Sequence, residues 1–135
     1  MRIVVDSYAW VELFIGSEKG RMVKDKLEAA DEVYTPDIVL AELARKYHSE
    51  RVETRIVEER LSKVLELSRM VPVDKDVAIK AAELDKELKK KAKEAGLREP
   101  SLFDAIVLAV TKVLNANLIT GDEHFREIPE VIWVG

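Results

Sequence analysis

The chain has 135 residues and a mass of 15.3 kDa, which is the size of one domain, and we predict a single domain over residues 1–135. It contains no cysteine, which excludes disulfides, thiol nucleophiles and thiolate metal sites. The formal net charge of −4 argues against a surface that coats nucleic acid indiscriminately. The longest apolar run has six residues, 105–110, whereas a membrane-spanning helix needs about 20.

The sequence predicts a cytoplasmic protein that is not embedded in a membrane. Met1 and Arg2 lead directly into Ile3-Val4-Val5, without the apolar segment of a secretory signal. Charged residues make up 36% of the chain, glutamine is absent and asparagine occurs only twice. This composition is typical of thermophilic proteins, and we expect a thermophilic origin.

Short β-branched segments alternate with longer segments of helical periodicity. The predicted strands are 3–6, 32–35, 71–73, 117–120 and 131–134. The predicted helices are 8–15, 18–30, 36–47, 52–68, 74–95 and 102–115, with a short helical turn over 123–125. Strands that alternate with helices favour an α/β fold, with a parallel sheet covered by helices on both faces.

Residues at the predicted helix ends support these boundaries. Thr35 is predicted to cap the third helix, with Pro36 as its first residue and Asp37 in its first turn. Gly96 is predicted to end the long fifth helix. Ser101 is predicted to cap the sixth helix, which is apolar around most of its circumference and is expected to be buried.

Four carboxylates are predicted to meet at one edge of the sheet. Asp6 ends the first strand, and Asp122 follows the fourth strand by two residues. Glu42 and Asp104 lie near the starts of helices that begin at the same edge, and helical side chains point back toward the helix N-terminus. In open α/β sheets this edge, at the carboxyl ends of the strands, is where ligands bind.

Each acid also has a purely structural interpretation, which the sequence leaves open. The alternatives are a helix cap for Asp6, an ion pair with Lys46 for Glu42, a capping box with Ser101 for Asp104 and a turn after Gly121 for Asp122.

Convergence of the four acids would have an electrostatic consequence. Close carboxylates repel by several kcal/mol per pair at an effective dielectric constant of about 20, so a bare cluster raises its pKa values or spreads apart. A divalent cation removes the conflict, and oxygen ligands suit Mg²⁺ or Mn²⁺ and disfavour zinc. Of the two histidines, His48 is expected on a charged helix end. His124 is expected to contribute, at most, from outside the set of direct metal ligands.

Four segments resemble the PIN domain nucleases, and most closely the small single-domain VapC-type toxins. The order and spacing of these segments span essentially the whole chain. They are Val4-Val5-Asp6-Ser7, Leu40-Ala41-Glu42-Leu43, Ser101-Leu102-Phe103-Asp104-Ala105-Ile106 and Ile119-Thr120-Gly121-Asp122-Glu123-His124-Phe125.

The resemblance implies a PIN-like three-layer fold with a twisted parallel sheet, a Mg²⁺- or Mn²⁺-dependent ribonuclease site, a small antitoxin partner and a homodimer. The implied metal-binding and catalytic acids are Asp6, Glu42, Asp104 and Asp122, supported by the hydroxyls of Ser7 and Thr120. Many relatives carry a further acid at the position of His124. This departure leaves open whether the site holds one metal ion or two.

The expected reaction is metal-assisted hydrolysis of an RNA phosphodiester bond by a water molecule. Between residues 86 and 98, six basic residues stand against two acids. The candidates for RNA contact are Lys89, Lys90, Lys93 and Arg98, although a solvated lysine-rich helix face explains the same pattern. The aromatic residues Tyr8, Trp10 and Phe14 follow helical spacing and are predicted to make core or dimer contacts.

A second function remains open at the sequence level. The chain could be an interaction or RNA-processing module with weak or no nuclease activity of its own. A phospho-acceptor receiver domain fits poorly, because Ser7 follows Asp6 where an acidic pair is needed and no lysine lies between 115 and 135.

Overall fold

The computed structural model describes residues 1–135 and contains one sheet of five parallel strands with six α-helices. The strands are β1 (Arg2–Val5), β2 (Glu32–Pro36), β3 (Arg69–Val71), β4 (Asn117–Thr120) and β5 (Val131–Trp133). The helices are α1 (Ser7–Ile15), α2 (Glu18–Ala29), α3 (Ile38–Ser49), α4 (Thr54–Leu67), α5 (Lys75–Ala95) and α6 (Leu102–Val113), and a 3₁₀ turn spans Glu123–Phe125. No helix combines the length and the apolar character that crossing a bilayer requires.

The strand order β3-β2-β1-β4-β5 places β1 at the centre of the sheet. In the register, Ile3 lies opposite Val33 of β2 and Asn117 of β4. The β1 side chains from Ile3 onward are fully buried, as are Leu118 and Ile119 of β4. This apolar centre confirms the expected α/β fold, because a strand covered on both faces needs a continuous apolar sequence.

The chain builds the sheet outward from β1 in two directions. It first adds β2 and β3 on one side, with α1 packed against α2 and α3, and then crosses to add β4 and β5 on the other side, with α5 packed against α6. Because crossovers between parallel strands are almost always right-handed, crossovers in opposite directions are expected to place these two groups of helices on opposite faces. The strand order reverses between β1 and β4, and ligands bind at such a switch point in open α/β sheets.

Two of the three predicted helix signals are confirmed. Gly96 ends α5 in the left-handed conformation, with φ of 69°, and Ser101 caps α6 by accepting a hydrogen bond from the Asp104 N–H. The predicted start of the third helix is wrong. Pro36 is the last residue of β2 and lies opposite Val71, while the Thr35 hydroxyl accepts from the Trp10 indole at 3.1 Å instead of capping a helix.

Other boundaries move by a few residues for local reasons. The sixth helix ends before Asn115 because that residue adopts a left-handed φ of 52°. The third strand is the predicted edge strand, but it begins at Arg69 and ends at Val71, before Pro72, which has no N–H to continue the ladder. The fourth helix spans Thr54–Leu67 and is shorter at both ends than predicted.

Candidate active site and metal centre

Asp6 follows β1 and is held on both of its carboxylate oxygens. Oδ1 accepts the Ala9 N–H at 3.0 Å, which caps α1, and Oδ2 accepts the Thr120 hydroxyl. The residue is only 5% exposed. Its pKa is raised to about 7, mainly by burial and also by the negative charges of Asp122 and Glu42, against the lowering effect of the two hydrogen bonds. The helix-cap interpretation is therefore correct, and it coexists with a place in the acidic cluster.

Thr120 connects the two strand ends at the switch point. Its buried hydroxyl donates to Asp6 and accepts the N–H of Asp122 at 3.0 Å. A single hydroxyl thus sets the position of the Asp6 carboxylate relative to the backbone that carries Asp122. Ser7, the other predicted supporting hydroxyl, lines the same cavity as Asp6 and Asp122, at the carboxyl edge of the sheet.

Asp104 lies in the first turn of α6 and completes a capping box. Its Oδ2 accepts the Ser101 N–H at 2.8 Å, so the capping interpretation also holds. Burial is the main cause that raises the pKa of this carboxyl, and the nearby Asp122 charge adds to it.

Glu42 lies on the second turn of α3 and faces the other acids. The ion pair with Lys46 does not form, because Lys46 binds Glu50 at 2.8 Å. The pKa of Glu42 is raised to about 7, mainly by burial and also by the Asp104 charge, and the guanidinium of Arg45 opposes both. Arg45 is not among the site residues predicted from the sequence, although its position three residues after Glu42 places the two side chains on one helix face.

All four predicted acids line one cavity of about 400 Å³ at the carboxyl edge of the sheet. The structure therefore brings together Asp6, Glu42, Asp104 and Asp122 from four different elements. Arg45 and Arg98 lie in the same wall, and Tyr8 lines both this cavity and an adjoining groove of about 650 Å³.

His124 lies closer to the acids than the sequence predicted. The potential ligand atoms of Asp104, Asp122 and His124 all lie within 4.8 Å of one another. The His124 ring is 7% exposed, and its Nδ1 is 3.0 Å from Asp122 Oδ1. The available signal was its position two residues after Asp122. His48, as expected, is exposed near the end of α3.

The predicted basic segment reaches the cavity only through Arg98. Lys89 binds Asp85 at 3.0 Å, and Lys90 and Lys93 are exposed on α5 outside the cavity wall. Among the aromatic residues, Trp10 is fully buried, which confirms its predicted core role, and it stacks on Phe14 at 5.8 Å.

The residues present fit a divalent cation. Three carboxyls have raised pKa values because they are buried or half-buried near other negative charges, and only Arg45 and Arg98 offer positive charge in the cavity wall. The donor set is carboxylate oxygen with one imidazole, which Mg²⁺, Mn²⁺ and other first-row divalent ions accept.

The sequence of residues 3–131 matches the family model of the PIN domain. The chain belongs to the PIN domain family. Its fold is shared by the toxin–antitoxin complex of Klebsiella pneumoniae, with a TM-score of 0.73, 23% identity and 98% of both chains covered. It is also shared by the VapC20 toxin of Mycobacterium tuberculosis, described as cleaving the sarcin–ricin loop, with a TM-score of 0.70, 22% identity, and 94% of this chain and 95% of that chain covered.

A third structure of the same fold is VapBC2 of Rickettsia felis bound to a DNA fragment from its promoter. The TM-score is 0.69 at 18% identity, and the alignment covers 98% of this PIN domain and 97% of that chain. At these sequence identities, the structural similarity shows that the chains share a fold. In a comparison with curated protein sequences, no sequence matches the chain.

Proposed function

We propose that this PIN domain is a Mg²⁺- or Mn²⁺-dependent endoribonuclease and the toxin of a VapBC-type toxin–antitoxin pair. The observation that carries the proposal is the cavity in which Asp6, Glu42, Asp104 and Asp122 meet at the switch point of the sheet. Membership of the PIN family and the shared fold of toxins such as the Mycobacterium tuberculosis protein support the same activity.

In this proposal Asp6, Asp104 and Asp122 hold the cation, directly or through water. A bound divalent cation supplies polarisation of the scissile phosphate and a lowered pKa for the attacking water. The hydrogen bonds from Ala9, Thr120 and Ser101 fix the carboxylates before substrate arrives, so little reorganisation accompanies the reaction.

Glu42 has one of two roles, as a further ligand or as the base that orients the attacking water. Its position in the cavity wall permits both. In the metal-free protein its pKa of about 7 lies in the range that suits proton transfer near neutral pH.

Arg45 and Arg98 are the proposed phosphate contacts nearest the reacting bond, because both are exposed and line the acid cavity. The lysines Lys89, Lys90 and Lys93 would contact more distant phosphates. Such contacts give affinity that falls with salt concentration and carry no sequence preference. Arg98→Ala should therefore weaken RNA binding and reduce its salt dependence.

The proposed partners are an RNA substrate, a small antitoxin and a second copy of the chain, in the cytoplasm. The proposal of an antitoxin rests on the fold shared with the Klebsiella pneumoniae complex and with VapBC2, which was determined with promoter DNA. Inhibition of RNA cleavage by the product of a short neighbouring gene would support it, and sedimentation of the purified chain would test the dimer.

The activity is tested with a mixed RNA pool incubated with Mg²⁺, with Mn²⁺ and with chelator. Wild type, Asp104→Asn and Asp31→Asn are compared at several salt concentrations; Asp31 is exposed at the opposite edge of the sheet and serves as the matched control. We expect metal-dependent cuts by wild type and Asp31→Asn, and none by Asp104→Asn.

Cuts that persist in chelator, or an active Asp104→Asn, would contradict the proposal. No cleavage in any condition, together with RNA binding that survives Asp104→Asn, would favour the alternative of an interaction or RNA-processing module without its own nuclease activity.

A further inference from the structure

His124 makes two contacts whose chemistry is unequal. Its Nε2 lies 2.8 Å from the carbonyl oxygen of Arg98, and its Nδ1 lies 3.0 Å from Asp122 Oδ1. A backbone carbonyl can only accept a hydrogen bond, so Nε2 carries the hydrogen and donates it. The Arg98 carbonyl, on the loop between α5 and α6, thereby selects the tautomer of His124.

In that neutral tautomer Nδ1 has a lone pair and faces an oxygen that is also an acceptor. Asp122 Oδ1 already accepts the His124 backbone N–H at 2.9 Å. The two acceptors, His124 Nδ1 and Asp122 Oδ1, are 3.0 Å apart, and the His124 side chain is only 7% exposed. Two acceptors this close, shielded from water, need a positive charge between or beside them. Either a proton on Nδ1 or a metal ion satisfies this need.

The surrounding groups favour the metal ion. Ligand atoms of Asp104, Asp122 and His124 lie within 4.8 Å of one another. Ligand atoms that each lie about 2.1 Å from one cation, at neighbouring corners of an octahedron, are about 3.0 Å apart. Histidines that bind metals through one nitrogen usually donate the other N–H to a carboxylate or a backbone carbonyl, as His124 does to Arg98.

We infer that His124 Nδ1 is a direct metal ligand together with Asp104 and Asp122, and that this imidazole makes the site prefer a first-row transition-metal ion to Mg²⁺. The inference rests on the metal centre of the proposed function but adds the ligand and the selectivity. Imidazole is a softer ligand than carboxylate and suits transition metals, whereas Mg²⁺ prefers oxygen. An acid at this position would give the opposite preference.

The test uses the purified full-length chain and Mn²⁺ as the probe. Electron–nuclear double resonance of bound Mn²⁺ should reveal coupling to a nitrogen nucleus in wild type. His48→Asn is the matched control, because it removes the other histidine, which is exposed near the end of α3. The coupling should persist in His48→Asn and disappear in His124→Asn.

Selectivity is measured on the same proteins by titration calorimetry with Mn²⁺ and with Mg²⁺. His124→Asn should weaken Mn²⁺ binding by about tenfold or more. His124→Asp, which restores an oxygen ligand, should shift the ratio of Mn²⁺ to Mg²⁺ affinity toward Mg²⁺ by a similar factor. Melting temperatures in chelator check that each variant is folded, and the wild-type nitrogen coupling does not depend on any variant.

Bound Mn²⁺ without nitrogen coupling in wild type would overturn the inference. In that case loss of Mn²⁺ binding in Asp104→Asn would still support the carboxylate metal centre of the proposed function. Absence of any Mn²⁺ binding by wild type would overturn both.

Discussion

Acidic residues collect at both edges of the sheet, but they lie in opposite environments. At the amino edge, where the strands begin, Asp31 pairs with the N-terminal amine, Glu32 accepts the Tyr34 hydroxyl and lies near Arg2, and Glu130 pairs with Lys112. These contacts lower the pKa of each carboxyl. At the carboxyl edge, burial and neighbouring negative charge raise the pKa values of Asp6, Glu42 and Asp104.

The difference shows that residue type alone does not mark a functional acid in this chain. Each acid of the amino edge has a cation or a hydroxyl donor of its own, whether it is exposed, as Asp31 is at 81%, or half-buried, as Glu32 and Glu130 are. The acids of the carboxyl edge share one cavity that has fewer cations than carboxylates. An arrangement that is unfavourable without a cation is typical of a binding site rather than of a stabilising surface network.

The largest expected difference between the edges is in RNA cleavage. Glu42→Gln should lower the cleavage rate by about 100-fold or more, because it removes a metal ligand or a base. Glu32→Gln, the same chemical change at the amino edge, should leave the rate within about twofold. Initial rates on one RNA substrate measure both variants, and equal loss in the two would contradict the comparison.

Mn²⁺ titration of Glu42→Gln then separates the two roles of this residue. Weakened binding identifies a ligand, whereas unchanged binding with slow cleavage identifies a base.

The metal-free fold should lose stability as the pH rises. Asp6 has a pKa of about 7 in the folded state and an ordinary value of 3.8. The folded state therefore holds this proton more tightly than the unfolded state does. The resulting contribution of Asp6 to the free energy of unfolding is fully present below pH 3.8 and is lost as the pH rises through about 7. Between pH 5 and pH 7 the loss is about 2 kcal/mol. Urea unfolding in chelator measures it.

Asp6→Asn should unfold with a much weaker pH dependence over that interval, because the titrating group is absent. A variant with the same pH dependence as wild type would show that other groups cause it. Asp31→Asn, at the amino edge, should retain the wild-type dependence.

The hydroxyl bridge at the switch point should contribute measurably to stability. Thr120→Val leaves Oδ2 of the buried Asp6 without its donor and the Asp122 N–H without its acceptor, while the Ala9 N–H still binds Oδ1, and it should cost about 1–2 kcal/mol. Thr111→Val is the control, since that buried hydroxyl only donates to the Val107 carbonyl of its own helix. Urea unfolding at one pH, in chelator, compares the two, and an equal cost would refute the bridge.

The smallest effect is expected from an ion pair at the amino edge. Lys112 and Glu130 are 2.9 Å apart, with side chains 30% and 32% exposed. Lys112→Met should change the free energy of unfolding by less than about 1 kcal/mol and leave Mn²⁺ binding unchanged. A change in Mn²⁺ affinity would show that the two edges are coupled.

The four acids could be predicted from the sequence because strand ends and helix starts have local signals. Asp6 and Asp122 follow apolar strands, and Ser101 marks the helix that carries Asp104. Once the parallel sheet is assumed, these positions fall on one edge. Gly96 likewise ends α5 as predicted, because its left-handed backbone is a local property.

The features that the sequence did not reveal depend on contacts between distant residues. The orientation of His124 is set by the Arg98 carbonyl, 26 residues earlier. Pro36 belongs to β2 because it pairs with Val71 of the short strand β3. Arg98 is the one residue of the predicted RNA-binding set that reaches the cavity, because it lies beyond the end of α5. No periodicity along the chain carries this information.

The most direct test of the account is the effect of Mn²⁺ on the stability of the folded chain. At a concentration of about 100 times its dissociation constant, Mn²⁺ should stabilise the wild type by about 2.7 kcal/mol. Asp104→Asn should lose most of that gain, and Asp31→Asn should keep it. A wild-type melting temperature that is the same with Mn²⁺ and with chelator would contradict the claim that the acids of the carboxyl edge form a metal centre.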